Sequence, residues 1–211
     1  MIEQFYKAYN NTLEMLVIRK YITNEDKANY IYPIKDFILK KHNDITQLDI
    51  RGIFTPDGKP VVVLFIEEDL KNYRTTGMLS EFLLNRISED ELNNCYIICI
   101  YQSKDDDNNT EIITTLNIKK ERQMLMEKKT IQLLQMSLIA IDRFNNSIMP
   151  EIKLLSKDEH IDFAKSSMSI ITLSDAITRY YGAMPGDIFQ FYRKMSTGPN
   201  ISWRQVRTVF G

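Results

Sequence analysis

The sequence has few of the residues from which many catalytic and metal sites are built. Its 211 residues include two cysteines, two histidines, one tryptophan and seven glycines. Neither a Walker A phosphate loop nor a dinucleotide-binding fingerprint occurs. His42 and His160 are far apart and have no cysteine or carboxylate at metal-ligand spacing. We therefore expect no metal, no cofactor, no small-molecule ligand and no catalytic residues. A nucleophilic site assembled from distant residues stays open, although nothing local indicates one.

The sequence also lacks a long apolar run. No segment approaches the roughly 20 apolar residues of a membrane-spanning helix, and the first residues, MIEQFYKAYNN, do not resemble a signal peptide. We expect a protein that stays in a reducing compartment and does not bind membranes. Cys95 and Cys99 fall in one apolar stretch, on one face of a strand and about 13 Å apart. That spacing is too long for a disulfide.

The charge is balanced overall but uneven along the chain. The formal net charge is −1, with 44% hydrophobic and 26% charged residues, which is typical of a soluble protein of one or two domains. No global field therefore attracts nucleic acid or membrane. Residues 179–211, however, hold five basic residues and one acidic residue, a balance of +4. A solvated basic face is the common explanation of such a bias, and a contact with an acidic partner is the more specific one.

The first half of the chain predicts a small α/β domain. Apolar residues recur at helical spacing up to about residue 20, and two further helices are predicted after Thr23 and from Pro33 to about Lys41. The period changes to two from Gln47. Strands are predicted at 48–54 and 61–67, joined by a turn at 55–58. A helix near 78–87 and a buried strand at 95–101 follow, which implies a parallel pair with a crossover helix.

The middle of the chain predicts a loop, a charged helix and a domain boundary. Residues 103–109 have a loop composition, and Thr110 and Leu116 stand where a calcium-binding EF-hand needs Gly and Glu. A helix is predicted at 118–129 and a strand at 131–141. The boundary is predicted within 148–152, and a capping box at 156–159 is expected to begin a helix that ends near 165.

Residues 174–206 predict a compact helix, turn and hairpin. Ser174 is the predicted helix N-cap, and Gly182 ends that helix because glycine adopts the left-handed conformation at low cost. The segments that follow from the pattern are a helix at 176–181, a turn at Pro185-Gly186-Asp187, a strand at 188–193, a loop at 197–200 and a returning strand at 201–209.

The segment RYYGAMPGDIFQFYRKMS within this stretch resembles the C-terminal assembly domain of a shared RNA polymerase subunit. It is called subunit five in eukaryotes and has a shorter archaeal counterpart. In that family an Arg-aromatic-Gly motif precedes a Pro-Gly-acid turn, an apolar strand ending in Arg, a Ser/Thr-Gly turn and an aromatic-Arg pair. The matching positions are, in order, Arg179, Tyr180, Tyr181, Gly182, Pro185, Gly186, Asp187, Arg193, Ser196, Thr197, Gly198, Trp203 and Arg204.

The resemblance is dense from about residue 150 to 206 and weaker, but colinear, before it. Arg19-Lys20-Tyr21-Ile22 resembles the family's Arg-Gly-Tyr-Val, and 146–152 resembles the interdomain segment His-Glu-Leu-Val-Pro-Glu-His. Asn146 and Ile152 replace both of its histidines. Asp175-Ala176 stands where the family usually has Asp-Pro, and the loop after Arg193 is about one residue short. Departures of this kind resemble what a divergent member of the family would show, for example a polymerase subunit encoded by a large cytoplasmic DNA virus.

The resemblance implies two domains, as in the eukaryotic subunit, and a non-catalytic function. Residues 1–146 would form an α/β jaw domain, three-layer-like and similar to a nuclease-type fold, and residues 147–211 a small α+β assembly domain like that of the archaeal protein. The assembly domain would dock on the largest subunit of a DNA-directed RNA polymerase, beside neighbouring subunits. The jaw domain would form part of the lower jaw near downstream DNA. The implied location is the virus factory and virion for a viral protein, or the nucleus for a cellular one.

The resemblance also implies a partner interface formed by its matching residues. These are Arg179, Tyr180, Tyr181, Gly182, Pro185, Gly186, Asp187, Arg193, Trp203 and Arg204. Aromatic and arginine side chains dominate interface energetics, although burial in the domain's own core is the alternative for each aromatic. We expect that alternative for Phe189 and Phe191, and contact for Tyr180, Arg193, Trp203 and Arg204. The acidic residues at 104–107 would repel phosphate, so we expect weak or no binding of DNA by the free protein.

Two other functions stay open from the sequence. Asp57, Asp69 and Lys71 have the spacing of a PD-(D/E)xK nuclease, in which two carboxylates hold Mg²⁺ and a lysine stabilises the cleaved phosphate. Asp57 is better explained as a turn residue, and Asp69 and Lys71 as loop residues. The other possibility is a small adaptor that uses the assembly module without a polymerase.

Overall fold

The structure, a computed structural model, describes residues 2–73, 75–103, 110–140, 150–156, 159 and 168–208. The chain divides into two compact units, residues 1–141 and 142–211, and each contains one mixed β-sheet. The boundary predicted after residue 146 falls within 141–149, outside the described residues.

The first unit has seven α-helices and four β-strands in the part that the structure describes. In chain order they are α1 (Ile2–Ile18), α2 (Asn24–Ala28), α3 (Ile34–Asn43), β1 (Ile50–Phe54), β2 (Pro60–Ile66), α4 (Thr76–Leu84), α5 (Glu89–Asn94), β3 (Tyr96–Tyr101), α6 (Thr110–Met126), β4 (Thr130–Gln135) and α7 (Met136–Ile139). Short 3-10 turns at Ile45–Leu48 and Leu70–Asn72 precede β1 and follow β2.

The first sheet has the order β1-β2-β3-β4. β1 is antiparallel to β2, and β2, β3 and β4 are parallel. The α4 and α5 helices connect β2 to β3, which confirms the predicted parallel pair with a helical crossover. Gly58, at φ 84°, lies in the turn between β1 and β2. The predicted hairpin turn is therefore also confirmed.

The central strand β2 is buried on both of its faces. Every residue from Val61 to Ile66 is buried, as the unbroken apolar run predicts. Leu64 packs on one face with apolar residues of α4 and α6. On the other face the Phe65 ring packs against Phe5 and Tyr9 of α1. The first unit is thus a sheet covered by helices on both sides.

Both predictions around α6 and β4 need correction. The helix begins at Thr110, eight positions before the predicted start. The strand-like run at 131–141 forms a strand only to Gln135, because the chain turns there into α7. Met136 and Ile139 are both buried, and a spacing of three residues puts them on one side of a helical turn. Asn11 of α1 donates a hydrogen bond to the Ile139 carbonyl (2.8 Å).

Cys95 and Cys99 are both free and buried in the same apolar cluster. The predicted absence of a disulfide between them is therefore confirmed. Burial raises the pKa of the Cys99 thiol, mainly by desolvation of the thiolate.

The second unit has four strands and one short helix in its described part. They are β5 (Glu151–Leu154), β6 (Ser169–Thr172), α8 (Ala176–Tyr181), β7 (Ile188–Met195) and β8 (Gly198–Arg207). The sheet order is β5-β7-β8-β6. β7 is antiparallel to both β5 and β8, and β6 is parallel to β8.

The hairpin between β7 and β8 is tighter than the sequence predicts. Met195 pairs with Gly198, so only Ser196 and Thr197 lie between the strands. The predicted loop at 197–200 is therefore wrong. Gly198 has φ 117°, which permits the early return of the chain, and Pro199 is accommodated in the strand opposite Lys194.

The Glu159 half of the predicted capping box after β5 is present. The Glu159 carboxylate accepts hydrogen bonds from the Ser156 N–H (2.9 Å) and hydroxyl (3.1 Å), and it forms an ion pair with Lys153. The helix predicted to follow it, to about residue 165, lies outside the described residues, as do His160 and residues 104–109 of the loop predicted at 103–109. His42 is exposed at the end of α3, as predicted for a surface histidine.

Candidate partner interface

The segment that carries the family resemblance folds as a helix, a turn and a hairpin. Asp175 caps α8, because its carboxylate accepts a hydrogen bond from the Ile177 N–H (2.8 Å). The predicted cap, Ser174, is therefore wrong; its hydroxyl lies 2.9 Å from that of Thr172. Gly182 ends the helix at φ 66°, as predicted.

The second turn is tied to the last strand by backbone hydrogen bonds. The Asp187 carboxylate accepts from the Met184 N–H (2.7 Å). Gly186, at φ 98°, donates to the Val206 carbonyl (2.9 Å), and the Val206 N–H donates to the Asp187 carbonyl (2.8 Å). The Pro-Gly-Asp turn therefore fixes the start of β7 against β8.

A row of aromatic rings holds α8 on the sheet. The Tyr181 and Phe189 ring centres lie 5.3 Å apart in an edge-on arrangement, and Phe191 lies 6.1 Å further on. The Tyr181 hydroxyl donates to the Ile152 carbonyl of β5 (3.1 Å), and burial raises the pKa of that hydroxyl. Phe189 and Phe191 are buried, as predicted. Phe189 and Phe191 thus stabilise the second unit and are not presented for binding, whereas Tyr181 is half-buried.

Two of the sequence-derived interface residues are also buried. Tyr180 is 2% exposed and Arg179 is 7% exposed. The sequence predicts a contact by Tyr180, but the structure does not present its ring at the surface. A helix of six residues is too short for its sequence to show which side faces solvent. Any contribution of Arg179 and Tyr180 to binding would therefore be indirect, through the packing of the helix, turn and hairpin.

The other matched residues are exposed or half-buried. Pro185 and Gly186 are exposed, Gly182 and Asp187 are half-buried, and Arg193 and Arg204 are exposed. The guanidinium carbon of Arg204 lies 4.9 Å from the centre of the Phe191 ring, so Arg204 lies on the side of the sheet that carries α8. Arg193 shares that side, because alternate residues of a strand face the same way.

The opposite side of the sheet is different in character. Gln190 pairs with Trp203 and Tyr192 with Ile201 across the β7–β8 ladder, so these residues share one face by strand alternation. Trp203 and Tyr192 are half-buried, and Ile201 is 41% exposed. We call the more exposed part of this side the open face; it consists of Gln190, Tyr192, Lys194, Ile201 and Trp203. Ile188, on the same side, is 4% exposed.

The residues of the nuclease-like motif do not come together. Asp57 lies in the turn before β2, and Asp69 follows the other end of that strand. Seven strand residues separate the two ends, a span of roughly 20 Å, whereas two carboxylates that share a metal must lie within a few ångströms of it. Asp57 is exposed in its turn, and the Lys71 side chain lies outside the described residues.

Asp69 instead belongs to a polar cluster that the sequence did not predict. It is 2% exposed, and the Ser103 hydroxyl, after β3, lies 3.5 Å from its carboxylate. Lys120 of α6 donates to the Leu70 carbonyl (3.0 Å). Burial lowers the pKa of Lys120, and the charge of Asp69 partly opposes that effect. The cluster joins the carboxyl ends of β2 and β3 to α6.

No group of three or more His, Cys, Asp and Glu residues within the described residues is arranged to hold a metal ion. None of the described helices is both long and apolar enough to cross a membrane. No protein-family model matches the sequence. A search of curated proteins likewise finds no match.

Proposed function

We propose that this chain is a non-catalytic subunit of a multisubunit DNA-directed RNA polymerase. Its second unit is the assembly domain of the shared subunit that it resembles, and it docks on the largest subunit. Its first unit is a jaw domain, similar to a nuclease-type fold without the activity, and lies near downstream DNA. The protein would be found in the virus factory and virion if the polymerase is viral, and in the nucleus if it is cellular.

The observation that carries the proposal is the ordered motif from Arg179 to Arg204. The resemblance requires glycine after the aromatic pair and again after proline. Gly182 and Gly186 both have positive φ angles, 66° and 98°, which L-residues adopt only at a cost. The two glycines of the motif therefore match the backbone geometry of the fold, in addition to matching the family's sequence.

A second point of support comes from the end of α1. Lys20 has φ 61°, and it stands where the family usually has glycine. The Tyr21 N–H donates to the Leu16 carbonyl (2.9 Å) and the Lys20 N–H to the Val17 carbonyl (2.9 Å), the pattern of a left-handed helix end. The backbone geometry at position 20 thus favours glycine, which the family has and which lysine replaces in this chain.

The wide separation of Asp57 and Asp69 supports a non-catalytic function over the nuclease alternative. Carboxylates that do not meet at one metal ion are consistent with a jaw domain that has a nuclease-type fold without nuclease activity. We expect weak or no binding of duplex DNA by the free protein. A gel shift that detects tight duplex binding at moderate salt would contradict this expectation.

The test is affinity purification of the tagged full chain from the cells in which it is native, with mass spectrometry of the bound proteins. We expect the two largest polymerase subunits at stoichiometric amounts. The double variant Trp203→Ala, Arg204→Ala should lose them, whereas the exposed control Lys7→Ala in α1 should keep them. Recovery of other proteins without polymerase would favour the adaptor alternative.

A further inference from the structure

The end of the β7–β8 hairpin extends beyond the strands that flank it. β5 pairs with β7 only as far as Tyr192, and β6 pairs with β8 only from Arg204 onwards. Within the described strands, residues 193–195 and 198–200 therefore pair with each other and with no third strand. We call residues 193–200, with the turn that joins their two halves, the ribbon.

The ribbon is held weakly. All of its residues except Gly198 are exposed, and a two-stranded ladder without further strands is only marginally stable in water. Pro199, opposite Lys194, has no N–H and cannot donate a hydrogen bond to the ladder. Segments with few buried contacts and an exposed ladder open locally while the rest of the protein stays folded. We therefore expect the ribbon to open into an extended chain without unfolding of the second unit.

Ser196 lies in the turn of the ribbon, directly after two basic residues. Its side chain is exposed, and its hydroxyl forms no hydrogen bond within the described residues. Arg193 precedes it by three positions and Lys194 by two. Ser196 is the only serine or threonine of the sequence with an arginine three residues before it. An exposed hydroxyl thus coincides with a spacing that occurs once in the chain.

This spacing is the one that arginine-directed serine/threonine kinases select. Such kinases bind an extended segment and discriminate substrates by charge, and their acidic residues pair with an arginine three positions before the acceptor hydroxyl. The last acidic residue of the sequence is Asp187, so none near the acceptor would oppose binding. Neither Arg193 nor Lys194 forms an ion pair within the described part of the chain. Both side chains are therefore available to a kinase.

We propose that Ser196 is a phosphorylation site of the folded protein and that it is recognised by an arginine-directed serine/threonine kinase. The Ser196 Oγ would attack the γ-phosphorus of ATP, and the bond from that phosphorus to the bridging oxygen would break. ADP would leave with the bonding electrons, and the hydroxyl proton would pass to the catalytic aspartate of the kinase. The site does not depend on the proposed function.

Three other hydroxyl residues have a lysine three positions before them, namely Thr23, Ser156 and Thr197. The hydroxyls of Thr23 and Ser156 donate hydrogen bonds to glutamate or aspartate carboxylates at helix starts, and those carboxylates would repel the phosphates of ATP. Thr197 shares the turn with Ser196, but lysine lacks the forked donors with which arginine pairs with two carboxylate oxygens. The structure thus favours Ser196 over all three.

The phosphate would change the charge of the ribbon. A phosphoserine carries about −1.5 to −2 charges at pH 7, which offsets the positive charges of Arg193 and Lys194. Docking on an acidic partner surface would then weaken, a consequence that rests on the proposed function. We expect the tagged chain, once phosphorylated, to recover at least threefold less of the largest polymerase subunit. Equal recovery would reject this regulation and leave the site intact, whereas no recovery with either form would reject the proposed function.

Phosphorylation of the purified full chain tests the site itself. The chain is incubated with magnesium ATP and the catalytic domain of an arginine-directed kinase, and the phosphate is located by peptide mass spectrometry. We expect phosphate at Ser196 and an initial rate at least tenfold lower in Arg193→Ala. The matched control is Asn200→Ala, opposite Arg193 in the ladder, which should change the rate less than twofold. Phosphate mainly at another residue, or equal losses in the two variants, would overturn the inference.

A second variant distinguishes a site of the folded protein from one that unfolding exposes. Val206 is 1% exposed in the apolar cluster of the second unit, so Val206→Ala raises the unfolded fraction of that unit without touching the ribbon. Because the ribbon opens locally, we expect the initial rate of phosphorylation at Ser196 to change less than twofold. A rate at least tenfold higher in Val206→Ala would show that the kinase needs the unfolded unit, and it would overturn the inference.

Discussion

Arg86 and Asp49 form a buried ion pair that fastens the central strand of the first unit. The Arg86 Nη2 lies 3.0 Å from Oδ2 and 3.1 Å from Oδ1 of Asp49. The same carboxylate accepts a hydrogen bond from the Phe65 N–H of β2 (3.0 Å), and Arg86 also donates to the Phe65 carbonyl (3.3 Å). Because the Asp49 side chain is 4% exposed, its charge has little access to water.

Replacing Arg86 with methionine should destabilise the first unit by about 3–5 kcal/mol, because it leaves the Asp49 carboxylate buried without its counter-charge. The control is Arg51→Met, which removes the partner of Glu91 in a more exposed pair and should cost about 0–1 kcal/mol. Urea unfolding of both variants measures the difference. Equal losses would show that the buried pair has no special importance.

The loss caused by Arg86→Met should shrink as the pH falls. Burial raises the pKa of Asp49, although the Phe65 N–H and Arg86 lower it in part. A raised folded-state pKa means that the folded state favours the protonated carboxyl. The free-energy cost of burying the charged carboxylate is therefore absent below the unfolded-state pKa of about 3.9. It grows as the pH rises through the folded-state pKa. Unfolding midpoints of wild type and variant between pH 4 and 8 test this, and a constant difference would contradict it.

Replacing Lys20 with glycine should stabilise the first unit by about 0.5 kcal/mol. The left-handed conformation at φ 61° costs an L-residue about 1–2 kcal/mol, and the greater freedom of glycine in the unfolded chain offsets roughly 0.5–1 kcal/mol of that gain. The matched control is Lys20→Ala, which removes the same charge but keeps the Cβ atom. Thermal unfolding should rank glycine above both lysine and alanine.

Glu159 should titrate far below an ordinary glutamate. The hydrogen bond from Lys153 and then those from the Ser156 backbone and hydroxyl lower the pKa of Glu159 to about 2. Because the folded-state pKa is depressed, the resulting stabilisation is present above about pH 4.3 and is lost as the pH falls towards 2. Carboxyl carbon NMR titration measures the value. Lys153→Met should raise it more than Ser156→Ala does, and an unchanged midpoint in Lys153→Met would contradict the assignment.

Much of the fold could be predicted because its signals are local. The unbroken apolar run at 61–66 and the Pro-Asp-Gly turn before it predicted β2 and its hairpin. Gly182 likewise predicted the end of α8, because glycine adopts the left-handed backbone geometry there at low cost. These features need no knowledge of the rest of the chain.

The features that the sequence did not predict depend on tertiary packing. The β4 strand gives way to α7 because Met136 and Ile139 are buried on the first unit, although aliphatic residues favour a strand there. The burial of Tyr180 follows from the position of α8, which the spacing of the sequence cannot encode. The open face likewise became visible only when register placed Trp203 diagonal to Tyr192. The separation of Asp57 from Asp69, in contrast, follows from the predicted turn at 55–58 and strand at 61–67.

The most direct test of the central claim is reciprocal purification. The polymerase is isolated through a tag on its largest subunit, from the cells in which this chain is native, and the chain is quantified by mass spectrometry with isotope-labelled peptides. The proposed function predicts one copy for each largest subunit, retained through washes at moderate salt. The absence of the chain from an active, otherwise complete polymerase would contradict it.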